Sequence, residues 1–347
     1  MDNHEIPDFD RMQDLAAEDD GLGYSLRPKT LNEFIGQEKA KEQLRIHIEA
    51  AKKRGDALEH VLLVGPPGLG KTTLARIIAN EIQTNYKQAI GPVMEKLDLA
   101  STLMNLDQGD ILFIDEIHRM KGYVQELLYP AMEDYQLDLA IGQGPASDVV
   151  QMPLKQFTLI GATTREGLLT GPFRDRFGIR IHLDYYEAKD IQQAIRINSA
   201  KLNINIDEDA EYTLACRSRG TMRIANKLLA NVRDYAQVEA DGSLSLEVVK
   251  DALKFFDIDE RGLNKQDYAY FQTLIEKFNG RAGLKALAVA LSEDERTIAE
   301  VYEPYYIKEG FLMLTPGGRI ATDAAHEYFN YPVASQTSLF YYGKTEK

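Results

Sequence analysis

The segment Gly65-Pro-Pro-Gly-Leu-Gly-Lys-Thr72 constrains this 347-residue chain more than any other. It matches the phosphate loop G-x-x-x-x-G-K-[ST], and it lies where that motif must lie, between the buried-strand run Val61–Val64 and the helical stretch Thr72–Ile82. Gly65, Gly68 and Gly70 let backbone N–H groups turn inward on phosphate oxygens, and the helix N-terminus adds its positive pole. Lys71 supplies a point charge for the β- and γ-phosphates, Thr72 a hydroxyl ligand for Mg²⁺, and Thr73 follows as a further ATP-binding residue. A chain that places these residues so is expected to be an α/β protein that binds ATP.

Two later runs complete such a site. In Ile111-Leu-Phe-Ile-Asp-Glu116 four apolar residues bury a strand and two acids emerge at its C-terminal end, where open α/β sheets hold their ligands. Asp115 is expected to hold the water shell of Mg²⁺, and Glu116 to orient or deprotonate the attacking water. A third strand, Phe157–Ala162, leads into Thr163-Thr164-Arg165, which places Thr164 as a sensor of the γ-phosphate. In Phe173-Arg-Asp-Arg-Phe-Gly178 two arginines flank Asp175. One of them reaches a γ-phosphate, or the cluster is a surface ion-pair network, and spacing alone leaves both open. Arg223 follows the break and N-cap Gly220-Thr221, where an arginine opposes the helix dipole. A bound anion accounts for it there, with a solvated side chain as the alternative.

The remaining pattern sets the organisation. Leu44, Ile48 and Ala51 form one face of a helix over 38–54, and Gly122–Tyr135 reads as another helix. Short apolar strands separated by helices predict a parallel sheet covered on both faces. Tyr135–Ile141 and Val149–Met152 flank Gly142-Gln-Gly-Pro145 and predict an inserted hairpin. Amphipathic stretches at 188–202, 208–218, 222–239 and 245–256 predict an all-helical subdomain. Helices at 265–278, 283–291 and 293–307, then two β-prone runs around Pro316-Gly-Gly318, predict a winged helix. The expected boundaries are an acidic tail over 1–23, a large domain over 24–185, a helical lid over 186–258, a winged helix over 259–335 and a tail over 336–347.

Composition narrows the setting. The single Cys216 excludes a disulfide scaffold and is expected in the core, and the apolar run Ala286–Leu291 is far short of a membrane span. The N-terminus shows no basic or apolar leader, so a cytoplasmic location is expected. His118 has no second ligand at zinc spacing. The net charge of −14 argues against a nucleic-acid partner until it is partitioned. Residues 1–25 carry eight acids and one base, while residues 261–347 carry eleven acids and ten bases, so the winged helix is nearly neutral.

The chain resembles the AAA+ ATPases and, among them, the RuvB family of Holliday-junction branch-migration motors. The residues that carry the resemblance are Leu26-Arg-Pro28, Phe34-Ile-Gly-Gln37, Gly65–Thr72, Phe113-Ile-Asp-Glu-Ile-His-Arg119, Tyr129-Pro-Ala-Met-Glu-Asp-Tyr135, Gly161–Arg165, Arg174-Asp-Arg-Phe-Gly178 and Glu303-Pro-Tyr305. The resemblance spans about Leu26 to Tyr328 and implies an AAA+ P-loop core, an all-α lid and a C-terminal winged-helix domain. It further implies an ATP-hydrolysing DNA translocase of recombination, repair and the SOS response. Leu26 and Arg27 would border the adenine, with Glu133, Asp134, Tyr135 and Tyr186 also near nucleotide. Arg176 would be an arginine finger delivered to a neighbouring subunit and Arg223 a second sensor, so catalysis would rest on Lys71, Asp115, Glu116, Thr164 and Arg176.

Implied partners are RuvA, bound through the hairpin, RuvC, duplex DNA and the junction itself, and further copies in a hexameric ring. Two departures stand out. Met222 takes the place of a proline, and the wing keeps only Arg319 as its DNA-binding arginine, with Leu314 and Gly317 where relatives carry arginine. The other readings are a different AAA+ ATPase such as a clamp loader, or a nucleotide-gated scaffold without turnover.

Overall fold

A computed structural model describes residues 26–141 and 148–333; the acidic tail, the Gly142–Pro145 turn and the C-terminal tail lie outside the described residues. Strands β1 (Val61–Val64), β2 (Tyr86–Ile90), β3 (Ile111–Asp115), β6 (Thr158–Thr163) and β7 (Ile179–His182) form one parallel sheet in the order β2-β3-β6-β1-β7. Strands β4 (Gln136–Ile141) and β5 (Asp148–Pro153) pair antiparallel as the expected hairpin. The connecting helices are α1 (Glu38–Arg54), α2 (Lys71–Ile82), α3 (Lys96–Met104), α4 (Gly122–Glu133) and the single turn α5 (Gly171–Arg174).

Apolar runs make the central strands. Every residue of β1 and β6 is buried, because helices cover both faces, and each fully buried Leu or Ile there contributes about 2 kcal/mol. Strands β2 and β7 and helix α3 were not legible in the sequence. β2 is the half-exposed edge strand Tyr-Lys-Gln-Ala-Ile, and β7 is a four-residue alternating run of the opposite edge. Neither carries the continuous apolar signature of a fully covered strand.

Four lid helices appear close to their expected bounds: α6 (Ala188–Lys201), α7 (Glu208–Arg217), α8 (Met222–Glu239) and α9 (Leu246–Phe255). The division of the chain into two compact units runs across them. Residues up to Ile204, with Gly220–Lys227, cluster with the sheet, and Asn205–Arg219 with everything from Leu228 onward forms a second unit. Cys216 corrects an expectation, for it is exposed. It follows Tyr212 by one helical turn on α7, and Tyr212 is 53% exposed, so the two share the outward stripe.

In the second unit, α10 (Lys265–Gln272) widens into a π-helical turn over Thr273–Lys277. It is followed by β8 (Arg281–Ala282), α11 (Leu284–Leu291), α12 (Glu295–Thr297), a second π turn over Ile298–Tyr302, α13 (Glu303–Lys308), β9 (Leu312–Thr315), β10 (Gly318–Ala321) and α14 (Asp323–Tyr328). The strands form a three-stranded sheet in the order β8-β10-β9, so the expected two-stranded wing gains a short partner strand. An aromatic cluster fills the core, with Phe271 stacked on Phe329 at 4.4 Å and edge-on to Tyr306.

Candidate nucleotide site

Register places the three motifs side by side. Val64 of β1 pairs with Thr163 of β6, and Ile114 of β3 pairs with Gly161, so the strands that precede Gly65, Asp115 and Thr164 end at one edge of the sheet. The P-loop leaves β1, the acids leave β3, and Thr164 leaves β6, the central strand between them. Sheet topology thus assembles residues a hundred positions apart.

Gly70 is the N-cap of α2 with φ +95°, a left-handed conformation that favours glycine, and a Cβ there would lie 3.1 Å from the Phe34 ring. Lys71 is buried at 7% exposure and donates to the carbonyls of Gly65 (2.7 Å) and Pro66 (2.9 Å) across the loop. Burial pulls its ammonium down to about pKa 8, against the opposing carboxylates of Asp115 and Glu116 and with the aid of the nearby Arg223. Thr72 and Thr73 follow, half-buried in the first turn of α2.

Glu116 adopts φ +49°, uncommon for a residue with a side chain, and its N–H donates to Asp115 Oδ1 at 2.9 Å. This turn aims two adjacent carboxylates differently. One Glu116 oxygen lies 3.4 Å from Nδ1 of the buried His118, and that nitrogen is 2.9 Å from the Thr163 hydroxyl. His118 therefore has a place in the site that its lack of metal-ligand company had concealed: it supports the acid. Among the described residues no cluster of His, Cys, Asp and Glu could hold a metal by itself. Thr163 is consumed by His118 and by the N–H of Arg165 (3.0 Å), whereas the buried Thr164 hydroxyl has no partner among the described residues. That orphaned hydroxyl, the buried Lys71 and the paired acids fit an Mg²⁺-bound triphosphate. Thr72 and Asp115 would hold the ion, which would supply charge neutralisation to the phosphates.

Arg223, expected as a second sensor, also approaches the loop. Thr221 caps α8 by accepting the Ile224 N–H at 3.4 Å, and the Arg223 N–H points to the Gly68 carbonyl at 3.4 Å. A Cβ on Gly68 would meet the Arg223 Cβ at 3.1 Å. Tyr186 is buried, but its hydroxyl donates to the Leu69 carbonyl (2.8 Å) and its N–H to the Gly220 carbonyl (2.9 Å), so it braces the P-loop against the sensor turn. Leu26 is buried with its carbonyl accepting from Lys201 (3.3 Å), and Arg27 lies within electrostatic reach of Tyr86.

Arg176, Glu133, Asp134 and Tyr135 are not brought to this loop. His60, just before β1, contacts the Met132 carbonyl at 3.1 Å, and Ile179 donates to the His60 carbonyl at 3.1 Å, which fixes this group at the N-terminal edge of the sheet. There Arg176 pairs with Glu133 at 3.0 Å and lies 4.5 Å over the Tyr129 ring. The four residues of β1, about 13 Å long, lie between His60 and the P-loop.

Family models match the chain from end to end of this architecture. The Holliday junction DNA helicase RuvB P-loop domain matches residues 26–183, the RuvB AAA lid domain 186–259 and the RuvB C-terminal winged-helix domain 260–330. The chain belongs to the RuvB family. The solved Holliday junction branch migration motor RuvB of Thermotoga maritima is 46% identical, covering 89% of this chain and 100% of that one at a TM-score of 0.82. Two single-residue mutants of that protein, also 46% identical, cover 89% of this chain and 99% of theirs, at TM-scores of 0.83 and 0.82. As a RuvB-family AAA+ ATPase, the chain is a branch-migration motor rather than a clamp loader or a non-hydrolysing scaffold.

One expected site residue has other work. Arg319 grips both oxygens of Glu303, at 2.7 and 3.0 Å, and Glu303 is nearly inaccessible and also accepts from Tyr270 at 3.1 Å. The resemblance made Arg319 the DNA-binding arginine of the wing; in the structure it stands on β10, the middle strand, with its fork on Glu303 of α13. Exposed Arg281, whose Nε donates to the Gly317 carbonyl at 3.2 Å, covers the wing turn instead.

Proposed function

We propose that this chain drives branch migration as a ring of identical subunits, a hexamer by family resemblance, around duplex DNA, with RuvA as its junction-binding partner and RuvC acting on the same junction. The location is the cytoplasm; among the described residues no helix is long and apolar enough to cross a membrane. ATP with Mg²⁺ sits on the P-loop. Lys71 and Arg223 hold the phosphates, Thr164 reads the γ-phosphate, and Glu116, braced by His118, positions and deprotonates water. Arg176 with Glu133, Asp134 and Tyr135 acts on the ATP of the neighbouring subunit. Leu26 and Arg27 border the base, and the β4–β5 hairpin meets RuvA.

The observation that supports this reading is that Arg176 pairs with Glu133 just before β7 begins, whereas Lys71, Asp115 and Thr164 stand at the C-terminal ends of their strands. A second copy that supplies Arg176 would complete the site. Mixing supplies the test. Lys71→Ala and Arg176→Ala proteins should each fail to hydrolyse ATP or move a synthetic four-way junction with RuvA, while their mixture, which forms some intact composite sites, recovers activity. An inactive mixture of two folded, ring-forming variants overturns the shared site.

A further inference from the structure

The chain passes between the two compact units at three bonds, Ile204–Asn205, Arg219–Gly220 and Lys227–Leu228, and the second of these lies at the turn before Arg223. Arg219 and Gly220 are both left-handed, with φ +52° and +73°, so the chain turns sharply there. Each of the two neighbours is anchored within its own unit. On the nucleotide side the Gly220 carbonyl accepts from Tyr186, whose hydroxyl holds the P-loop, and Arg223 follows three residues later against Gly68.

On the other side the Arg219 side chain, 11% exposed, is committed to the winged helix. Its Nε donates to the Gly262 carbonyl at 2.8 Å, its two terminal nitrogens grip the Asp267 carboxylate, and its guanidinium lies 5.1 Å over the Tyr305 ring. Asp267 is itself buried. It closes the capping box at the start of α10 with Asn264 and accepts the Tyr306 hydroxyl at 2.6 Å. The first helix of the winged helix is thus capped by a residue whose cation stands next to the sensor turn.

We propose that Arg219 is the positioning residue that makes the start of the winged helix follow the sensor turn, so that a change at the γ-phosphate is felt at α10. The inference rests on the motor reading above. A planar, bidentate fork suits the task because it transmits rotation as well as displacement, which a single point charge does not. No substrate contact is involved, so turnover itself does not depend on it.

The test uses the full chain as wild type, Arg219→Lys and Arg219→Met. Amide hydrogen exchange with and without a non-hydrolysable ATP analogue should register nucleotide at the P-loop in all three, and at residues 262–270 in the wild type alone. With RuvA and a four-way junction, Arg219→Lys should lose about tenfold in junctions moved per ATP hydrolysed, a typical coupling factor, while KM and kcat for ATP stay within about twofold. Should Arg219→Met not fold, Arg219→Lys keeps a cation beside Asp267 and carries the comparison. Wild-type 262–270 amides blind to nucleotide, or unchanged migration per ATP in Arg219→Lys, overturn the proposal. If the wild type moves no junction, the motor reading fails, and the exchange result alone judges Arg219.

Discussion

Arginine does different work in the two halves of this protein. Arg176, in the sheet unit, is as covered as Arg319, at 18% exposure, but its partners are the Pro172 carbonyl at 2.5 Å, a ring face and a carboxylate that is 55% exposed, which a competing phosphate can replace. Arg319, in the winged-helix unit, is held in a fork by a carboxylate that is 2% exposed and further tied to Tyr270. A motor needs both kinds. Cations that visit ATP must be cheap to release, and cations that keep the DNA-facing unit rigid must not be. Both residues sit in motif-like basic contexts in the sequence, so residue type alone does not distinguish them.

The largest effect tests the loosely held class. If Arg176 is an arginine finger, Arg176→Ala should lower ATP hydrolysis by about 10³-fold or more, while thermal unfolding shifts by no more than a partly exposed ion pair allows, about 1 kcal/mol. A large loss of stability would place Arg176 among the structural arginines and break the comparison. Arg319→Ala should do the reverse. It strands the buried Glu303 carboxylate, which costs about 3–5 kcal/mol in urea unfolding of the winged helix, and in a folded background leaves the salt dependence of DNA binding unchanged. If the slope falls instead, Arg319 returns to the DNA.

Arg281→Ala sharpens the same point from outside. Arg281 is exposed above the wing turn and has no carboxylate partner among the described residues, so its loss should reduce the salt slope of duplex binding by about 0.9 with little change in stability. The slope is measured by binding titrations across a salt series, and an unchanged slope removes the wing turn from the interface.

Why some of this was legible and some not follows from which interactions are local. The P-loop, the paired acids and Thr221-Met-Arg223 are contiguous runs whose spacing states their chemistry, and the strands that carry them are continuous apolar segments. Tyr186 bracing Leu69, His118 beneath Glu116 and Glu303 under Arg319 join residues 117, 2 and 16 positions apart, through contacts that no spacing rule describes. Edge strands hid for a related reason. No residue of Tyr86–Ile90 is fully buried, so neither a continuous apolar run nor a clean alternation marks it in the sequence. Cys216 was misplaced because an apolar neighbour, Ala215, is buried, yet adjacent residues on a helix point about 100° apart.

Lys71 provides a graded test on the nucleotide side. Bound phosphates favour the ammonium, whereas burial in the free protein lowers its pKa to about 8. Below pH 8 the cation is present beforehand and ATP affinity is full. Above it, binding must take up a proton, so affinity should weaken by up to tenfold per pH unit. Calorimetry in two buffers of different ionisation enthalpy at pH 8.5 would register that proton uptake, and its absence would leave Lys71 charged throughout.

The smallest effect concerns how a loosely held arginine is aimed. Arg223 makes its approach to Gly68 from the second position of α8, one residue after Met222, where the helix has no use for an N–H. Proline there would preset φ near −65° and restrict the unfolded chain, so Met222→Pro should stabilise the protein by about 0.4–1 kcal/mol. Because Thr221 already caps the helix and the Arg223 backbone is already directed at the loop, ATP affinity should move by less than about twofold, an energy below RT. A larger gain in affinity, with the same gain in stability, would mean that Met222 leaves Arg223 partly misdirected. The first turn of α8, and not the guanidinium alone, would then set how tightly the loosely held arginines grip phosphate.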